Sequence, residues 1–289
     1  MTILEIKPFG LEGSGGSSPM RLTVEGEPNR HLFGKLYAKA HMRADRWYKL
    51  GRTILYGSLE DEKPYNSVRR LAEYEDYVLR VMHDAGIPCA QSYGFGEISP
   101  GREYLLVTEF LEGGVEITEA PVTDAVIDDA LSTIRLMWEA GLAHRDVKPA
   151  NILVRGESIV MIDPAFGELR PSPWRQAVDL ANMMVVLGLR TDPDRVYQRA
   201  LASFTPEEIA EAFAATRGVT MPSQSRRHLR DAERTGRDVL ARFRELAPKR
   251  PPIRIQRWNL RRVALSVGMA LGGLVALSLL ADAIRSGAL

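Results

Sequence analysis

The chemistry-bearing residues of this 289-residue chain are concentrated in one short stretch and in the run that follows it. The stretch reads His144-Arg-Asp-Val-Lys-Pro-Ala-Asn151, and the later run Ser158-Ile-Val-Met-Ile ends at Asp163. Carboxylates of this kind can accept a proton or bind a hard cation, while a lysine adds positive charge and an asparagine adds an amide oxygen. The surrounding elements must bring these groups to one place for such chemistry to occur.

The spacing of these residues resembles the catalytic loop of the protein kinase-like superfamily, whose pattern is HRDxKPxN. A strand that ends in an aspartate about a dozen residues later is similar to the one that carries the metal-binding aspartate of that family. Agreement at six positions in register makes the motif specific. The resemblance implies a bilobal α+β fold, phosphoryl transfer from ATP, and Mg²⁺ as the metal.

The resemblance also implies roles for the individual residues of this stretch. Asp146 is expected to orient the acceptor hydroxyl and accept its proton, and Lys148 to place a cation beside the transferring phosphoryl group. Asn151 and Asp163 are expected to bind magnesium, which bridges the nucleotide phosphates. We assign His144 a structural role in holding the loop.

A kinase-like site also requires a lysine on the third strand that is held by a glutamate on the following helix. Two lysines, Lys35 and Lys39, lie on the same face of the predicted strand, so strand alternation cannot decide between them. Lys35 lies in the middle of the strand, and this position favours it. On the predicted helix, Glu75 lies on the apolar face, where a carboxylate is costly unless it is paired. Glu73 lies among charged neighbours, so we expect Glu75 to be the partner of Lys35.

A glycine-rich run between two predicted strands is the candidate phosphate-binding loop. It covers residues 13–18, about twenty residues before Lys35, and its glycines are Gly13, Gly15 and Gly16. Backbone N–H groups in such loops can cradle phosphates. The match to the kinase pattern is imperfect, and an ordinary flexible hairpin loop explains the run equally well.

The apolar run from 104 to 111 resembles the strand that enters the hinge between the lobes of a kinase. The resemblance implies that backbone groups of Glu109 to Leu111 hydrogen-bond adenine, although a plain core strand has the same pattern. Asp179 lies in a helix that is apolar on almost every face, so its carboxylate needs hydrogen-bond donors. In the kinase family the catalytic-loop backbone supplies them, which makes Asp179 a scaffold residue.

The elements around these residues predict an α+β body in two lobes. Three short strands are expected within residues 1–39, and helical patterns cover 67–84, 127–140, 175–189, 206–216 and 226–246. Strands that come first and helices that follow indicate an N-lobe over 1–108, and a hinge and C-lobe over 109–250.

The stretch after Asp163 departs from the kinase pattern. Pro164 and Ala165 stand where many kinases have Phe-Gly, and proline stiffens the backbone there. Only fifteen residues separate Asp163 from Asp179, which leaves no room for a long activation loop. Such short versions resemble RIO-like, lipopolysaccharide-kinase-like and aminoglycoside-phosphotransferase-like branches, which often act on small molecules or unusual protein sites.

Composition excludes several classes of protein. One cysteine, Cys89, excludes an internal disulfide framework and any cysteine-based metal cage. From Pro248 onward seven basic residues accompany one acid, so the first 247 residues are acidic although the net charge of the chain is +1. An acidic body argues against nucleic acid as a partner.

The apolar run from 263 to 281 predicts a transmembrane helix. Its nineteen residues carry no charge, and a helix of that length covers about 28 Å of a hydrocarbon core of roughly 30 Å. A basic linker over 251–262 precedes the run, so the positive-inside rule places the N-terminal kinase body in the cytoplasm. Gly268 and Gly272 allow two such helices to pack as a dimer. A helix packed on the body is the alternative.

These expectations together describe a membrane-anchored, single-pass, atypical kinase that transfers phosphate from ATP to a hydroxyl acceptor. A protein serine or threonine is the first choice of acceptor, because Lys148 is the protein-kinase version of the loop. The implied partners are ATP, a membrane-proximal protein or lipid-linked acceptor, and lipid around 263–281. A nucleotide-binding pseudokinase scaffold and a small-molecule or lipid-linked sugar phosphotransferase are the alternatives.

Overall fold

The computed structural model describes residues 2–9, 17–26, 30–39, 67–216 and 220–251, together with helical residues between 264 and 278. The chain divides into two compact units: Met1–Asp45 with Tyr65–Ile253, and Arg46–Pro64 with Arg254–Leu289. The strands and helices whose bounds are given below all belong to the first unit.

An antiparallel five-stranded sheet forms the N-terminal part, in the order β1-β2-β3-β5-β4. Its strands are β1 (Ile3–Pro8), β2 (Ser18–Val24), β3 (Arg30–Ala38), β4 (Ser92–Ser99) and β5 (Glu103–Glu109). The register places Lys35 of β3 between Pro19 of β2 and Leu106 of β5. Lys35 therefore lies within the central strand of the sheet.

Helix α1 (Val68–Asp84) packs its apolar face against this sheet. The Ser67 side chain accepts a hydrogen bond from the backbone N–H of Arg70 and caps the helix N-terminus. The buried face of α1 includes Glu75, and the same helix shares a core cluster with strands β3 and β5, formed by Tyr37, Val68, Ala72, Leu79, Tyr104 and Leu106. This packing directs Glu75 towards the strand that carries Lys35.

The rest of the unit is mainly helical and is built around α3. Its helices are α2 (Asp124–Glu139), α3 (Pro173–Arg190), α4 (Pro193–Ala200), α5 (Pro206–Ala215), α6 (Ser223–Arg234) and α7 (Val239–Leu246). Helix α3 is buried along almost its whole length, including the carboxylate of Asp179. A buried charge at this point has to be held by donors from neighbouring elements.

Two small antiparallel sheets hold the stretch from 142 to 169. One joins β6 (Val115–Glu116), β8 (Ile152–Arg155) and β9 (Ser158–Met161), and the other joins β7 (Leu142–Ala143) to β10 (Glu168–Leu169). A single 3₁₀ turn, Pro149–Asn151, leads into β8. The segment 144–151 therefore begins directly after β7 and ends directly before β8. Each end of this segment is fixed by one of the two small sheets.

The α+β class expected from the sequence is present, but strands and helices are not fully separated along the chain. Helix α1 lies between β3 and β4, and strands β7 to β10 lie between α2 and α3. The expected helix over 226–246 is two helices, α6 and α7, because the chain turns at Gly236, where φ is 82° and glycine is favoured. The sequence also did not predict β4, whose residues alternate irregularly in exposure and include Gly94 and Gly96. Because glycine has no side chain, neither position contributes to the alternating hydrophobic pattern from which a strand is predicted.

The membrane helix expected over 263–281 is wrong. In the described parts of the chain, no helix has the length and apolarity needed to cross a bilayer. Within this run the structure describes helical residues at 264, 267–269, 271–275 and 277–278. The remaining residues of 263–281, and the linker beyond Pro251, lie outside the described residues. The single-pass membrane localisation, the lipid contact and the Gly268–Gly272 dimer contact depended on that helix.

Close packing between α3 and α7 gives a stability test of the helical core. A Cβ added at Gly188 would lie 2.8 Å from Cε2 and 2.9 Å from Cζ of the Phe243 ring, which is fully buried. Because overpacking a filled core costs about 1–3 kcal/mol, we expect Gly188→Ala to lower the melting temperature by several degrees in differential scanning calorimetry. Gly96→Ala is the control, because a Cβ at Gly96 meets no atom within 4 Å. Equal melting temperatures for the two variants would contradict this packing.

Candidate active site

Lys35 joins two carboxylates that are distant in the sequence. Its Nζ lies 3.0 Å from both Oε1 and Oε2 of Glu75, and it also donates to Oδ1 of Asp163. The Lys35 side chain is 12% exposed and that of Glu75 is 4% exposed. Lys35, favoured by its position in the strand, and Glu75, favoured by its helix face, are thus in contact, and Asp163 also contacts Lys35.

Burial and charge act against each other in this cluster. Burial alone would lower the pKa of Lys35, but the carboxylates of Glu75 and Asp163 outweigh it and hold that pKa above its ordinary value. Burial raises the pKa of Glu75 to about 7, although Lys35 opposes this effect. For Asp163, burial is outweighed by Lys35 and Lys148, and its pKa is lowered. Lys35 is shared by both carboxylates, and of the two Glu75 has the higher pKa, so Glu75 is protonated before Asp163 as the pH falls.

Tyr37 is a member of this cluster that the sequence analysis missed. Its hydroxyl donates to Oε2 of Glu75, and its side chain is buried. Tyr37 is two residues after Lys35 on β3, so strand alternation places both side chains on the same face. This shared strand face is the sequence signal that could have identified Tyr37.

The two rejected candidates lie elsewhere. Lys39 is exposed and follows the end of β3, where its backbone N–H donates to Arg102 O. Glu73 forms an ion pair with Arg70 at 3.0 Å on the outer side of α1. Both positions fit the choice of Lys35 and Glu75.

Asp146, Lys148 and Asn151 form a second group. Lys148 Nζ lies 2.6 Å from Oδ2 of Asp146. The Asn151 amide nitrogen donates to the same Oδ2 at 3.0 Å and to the backbone carbonyl of Asp146 at 2.9 Å. The Asp146 carboxylate is therefore held in place from two sides.

Ile162 connects this group to Asp163. Its N–H donates to the carbonyl of Asn151 at 3.0 Å, and its own carbonyl lies 3.1 Å from Nε2 of His144. His144 is buried, and burial lowers its pKa. A neutral, buried histidine that bonds the backbone has the structural role expected for it. The loop and Asp163 are thus tied together through one residue.

The buried carboxylate of Asp179 holds the start of the loop. It accepts the backbone N–H of His144 at 2.6 Å and that of Arg145 at 3.0 Å. Arg145 has φ of 65° and Asp163 has φ of 58°, both in the left-handed region that is costly for residues other than glycine. The contacts of Asp179 offset that cost at Arg145, which is the scaffold role expected from the sequence.

Removing the Asp179 carboxylate is expected to destabilise the protein. In Asp179→Ala the two N–H groups lose their acceptor, at about 1–3 kcal/mol for each buried donor. Asp179→Asn keeps one acceptor oxygen and should lose less stability. Urea denaturation followed by circular dichroism measures both variants. Destabilisation of the alanine variant by less than that of the asparagine variant would contradict this role.

The donor set at Asp163 fits a magnesium ion that is shared with phosphates. Asp163 offers a carboxylate whose side chain is 36% exposed. The amide nitrogen of Asn151 is engaged by Asp146, so its amide oxygen is the ligand atom that it can offer. Within the described residues, no group of three or more His, Cys, Asp or Glu side chains could hold a metal alone. Magnesium is commonly bound by one or two protein ligands plus substrate phosphates, which matches this set.

The expected nucleotide-binding segments are only partly described. Gly13, Gly15 and Gly16 lie outside the described residues, between β1 and β2. Glu109 ends β5, and its N–H donates to Gln91 O at 2.8 Å. The carbonyl of Leu111 accepts from the N–H of Gly114 at 3.1 Å. These two backbone groups already have partners within the chain.

Three phenylalanine rings meet near these segments. Phe9, four residues before Gly13, stacks on Phe33 with ring centroids 6.1 Å apart, and on Phe110 with centroids 6.4 Å apart. Phe33 is two residues before Lys35 on β3, and Phe110 lies within the expected hinge. The sequence analysis did not single out these rings.

Gln224 is another contact that the sequence did not reveal. It belongs to α6, in a region with no motif, yet its Oε1 accepts the N–H of Ala150 at 3.2 Å within the catalytic-loop stretch. Its Nε2 lies 3.5 Å from Oε1 of Glu116. A contact between residues that are 74 positions apart leaves no local signal in the sequence.

Comparison with known proteins gives a kinase relationship over part of the chain. A scan against models of protein families finds no match. The chain is 30% identical to Serine/threonine-protein kinase D of Synechocystis sp. over 110 residues, which are 36% of this chain and 21% of that protein. This chain thus spans about a fifth of the length of that curated relative. The similarity supports a kinase-like relationship for the matched part.

Proposed function

We propose that this protein is an atypical kinase that transfers the γ-phosphate of ATP to a hydroxyl acceptor. One observation carries the proposal: Lys35 contacts both Glu75 and Asp163, while Asp146, Lys148 and Asn151 contact one another and are joined to Asp163 through Ile162. Phosphoryl transfer needs this combination of cations, metal ligands and a positioned carboxylate in one place. The partial similarity to a serine/threonine-protein kinase supports the same reaction class.

In this proposal each side chain has one task. Lys35, held by Glu75, binds the phosphates of ATP. Asp146 orients the acceptor hydroxyl and accepts its proton as the hydroxyl oxygen bonds to the γ-phosphorus, and ADP leaves. Lys148 lies 2.6 Å from the Asp146 carboxylate and adds positive charge beside the transferring group. The N-lobe over 1–108 and the C-lobe over 109–250 supply the two sides of the site.

Asn151 and Asp163 are the proposed ligands of Mg²⁺. The bound ion would neutralise charge on the phosphate oxygens. Lys35 also contacts Asp163, so the same carboxylate orients the lysine and offers an oxygen to the metal. Its lowered pKa keeps Asp163 ionised for both purposes.

A serine or threonine of a protein is the proposed acceptor. Lys148, in the form of the loop found in protein kinases, supports that choice, and the relative named above is called a serine/threonine-protein kinase. The short segment between Asp163 and Asp179 is the feature that favours a small-molecule acceptor instead. Both acceptors require the same catalytic groups.

A nucleotide-binding protein without transfer activity is the second candidate. The observation that favours it is Pro164, which follows Asp163 where many kinases have phenylalanine. Proline fixes φ and has no backbone N–H, so it stiffens the chain next to the proposed metal ligand. The imperfect match of the glycine-rich run to the kinase pattern is a second departure from active kinases.

Label transfer separates these candidates. The purified full chain is incubated with Mg²⁺ and ATP labelled at the γ-phosphate, together with casein, a basic histone fraction, or a panel of small hydroxyl compounds including an aminoglycoside. We expect label in a protein acceptor and none when ATP carries the label at the α-phosphate. Thermal stabilisation by ATP without transfer to any acceptor would instead establish the second candidate.

A further inference from the structure

Helix α6 begins against the catalytic-loop stretch. Its second residue, Gln224, accepts the backbone N–H of Ala150 at 3.2 Å, and Ala150 directly precedes Asn151, a proposed ligand of Mg²⁺. The amide nitrogen of the same Gln224 side chain lies 3.5 Å from Oε1 of Glu116 on β6. The first turn of α6 is therefore held beside the loop that carries the proposed catalytic groups.

The exposed side of α6 is basic. Arg226, Arg227 and Arg230 are exposed, while another face of the helix is buried against the body. Arg227 follows Gln224 by three residues, and side chains at that spacing on a helix are neighbours. These three arginines, which we call the arginine stripe, therefore begin within one turn of the contact with Ala150 and continue along the helix surface.

The arginine stripe has no anionic partner in the parts of the chain that the structure describes: no ion pair or hydrogen bond engages its guanidinium groups there. Asp231, on the same helix, pairs with Arg234 at 3.2 Å. Glu116, the acid beside Gln224, accepts a hydrogen bond from the hydroxyl of Thr118 at 2.8 Å. The charge of the stripe is thus open to an anion from outside the described residues.

The arrangement of these arginines does not stabilise the helix. Arg230 stands four residues after Arg226 and four before Arg234, and like charges at this spacing destabilise a helix. The first turn of α6 contains no acidic residue that would offset them. An anionic partner bound along the stripe would remove this repulsion.

The stripe is also a local exception in an acidic body. Helix α6 carries four arginines against one aspartate and one glutamate, whereas the first 247 residues together carry more acids than bases. Most of the body therefore repels an acidic ligand, and the stripe attracts it. This contrast in charge favours binding of an acidic ligand beside Ala150, at the side of the catalytic loop.

We propose that the arginine stripe binds acidic residues of the acceptor protein and thereby holds the acceptor hydroxyl within reach of Asp146. This inference rests on the proposed function, because it names the class of acceptor for the same site: a protein segment with aspartate or glutamate near its serine or threonine. The stripe touches none of the reacting atoms. Its removal should therefore raise the KM for the acceptor and leave kcat unchanged.

The test compares two triple variants of the full chain. One carries Arg226→Gln, Arg227→Gln and Arg230→Gln, which removes the charge of the stripe and keeps good helix formers in place. The matched control removes the same charge from exposed positions outside α6, by Arg102→Gln, Arg155→Gln and Lys249→Gln. Because all of these side chains are exposed, both variants should keep the melting temperature of the wild type.

Initial rates of label transfer to casein, an acidic protein, measure the effect on the acceptor. Loss of three exposed ion pairs should raise the KM for casein about tenfold in the stripe variant, with kcat and the KM for ATP unchanged. The difference should shrink at high salt, because salt screens exposed charges. Equal KM values for casein in the two variants, or a wild type that prefers a basic histone fraction to casein, would overturn the inference.

Binding in the absence of ATP keeps this test separate from the proposed function. The probe is a fluorescent glutamate-rich peptide, and its anisotropy reports binding to the full chain. We expect equal affinities in the wild type and the control variant, and an affinity about tenfold weaker in the stripe variant. If the wild type transfers no phosphate, the proposed function fails and this binding result alone decides the inference. Equal affinities in the two variants would reject it, as would tighter stripe-dependent binding of single-stranded DNA or phosphatidylserine vesicles than of the peptide.

Discussion

Asp146→Asn is expected to lower the rate of phosphoryl transfer about 10²- to 10⁴-fold, the usual contribution of a positioned base. The substitution keeps the size of the side chain, and an amide oxygen can still face Lys148 or Asn151. It removes the negative charge that orients the acceptor hydroxyl and accepts its proton. Initial rates of label transfer from ATP at saturating Mg²⁺ measure the effect.

The fold of this variant should survive, because the Asp146 side chain contributes one acceptor among several in the loop. Asp84→Asn is the control: the Asp84 side chain is 85% exposed at the end of α1. Transfer rates that are equal in Asp146→Asn and Asp84→Asn would remove Asp146 from the mechanism.

Lys35→Met is expected to lose transfer activity and much of the stability of the sheet and helix that it joins. The substitution leaves the buried Glu75 carboxylate without its cation, and breaking such a buried pair costs about 3–5 kcal/mol. Lys39→Met is the matched control, because Lys39 is exposed and follows the same strand. Chemical denaturation at pH 8 gives both free energies of unfolding.

The cost of Lys35→Met should depend on pH in a defined direction. Burial raises the pKa of Glu75 from 4.5 to about 7, so between these values the folded wild type holds a proton that the unfolded chain releases. The stability that this residue contributes is greatest below pH 4.5 and is lost as the pH rises through 7. Without Lys35 the pKa of Glu75 rises further, so an ionised Glu75 is most costly at high pH. We therefore expect a larger loss of stability at pH 8 than at pH 5; a loss that is equal at both values contradicts the pairing.

Strong local patterns account for what the sequence predicted. Helix periodicity singled out Glu75 as an inward-facing charge, whereas strand alternation left Lys35 and Lys39 open and position in the strand favoured Lys35. The structure brings Lys35 and Glu75 into contact. The fixed spacing of Asp146, Lys148 and Asn151 lies within one loop, so their proximity needed no knowledge of the tertiary fold. The helical segments α2, α3 and α5 were likewise visible as apolar periodicity.

Contacts between distant segments account for what the sequence did not predict. Glu168 and Arg175 are charged residues with no pattern of their own, and only the pairing of β10 with β7 brings Glu168 beside Arg145. Gln224 reaches Ala150 from a helix that carries no motif. The prediction of a membrane helix over 263–281 was wrong for a different reason. It rested on the length of an uncharged apolar run and on the basic residues before it, whereas no helix in the described parts of the chain is long and apolar enough to cross a bilayer.

Magnesium-dependent nucleotide binding tests most directly whether Asn151 and Asp163 hold a metal-bound triphosphate beside Lys35. Isothermal titration calorimetry of the full chain with a non-hydrolysable ATP analogue, with and without Mg²⁺, measures it in the wild type and in Asp163→Asn. We expect Mg²⁺ to tighten binding by the wild type and to have little effect on Asp163→Asn. Affinities that do not respond to Mg²⁺ in the wild type, or respond equally in both proteins, would contradict the site.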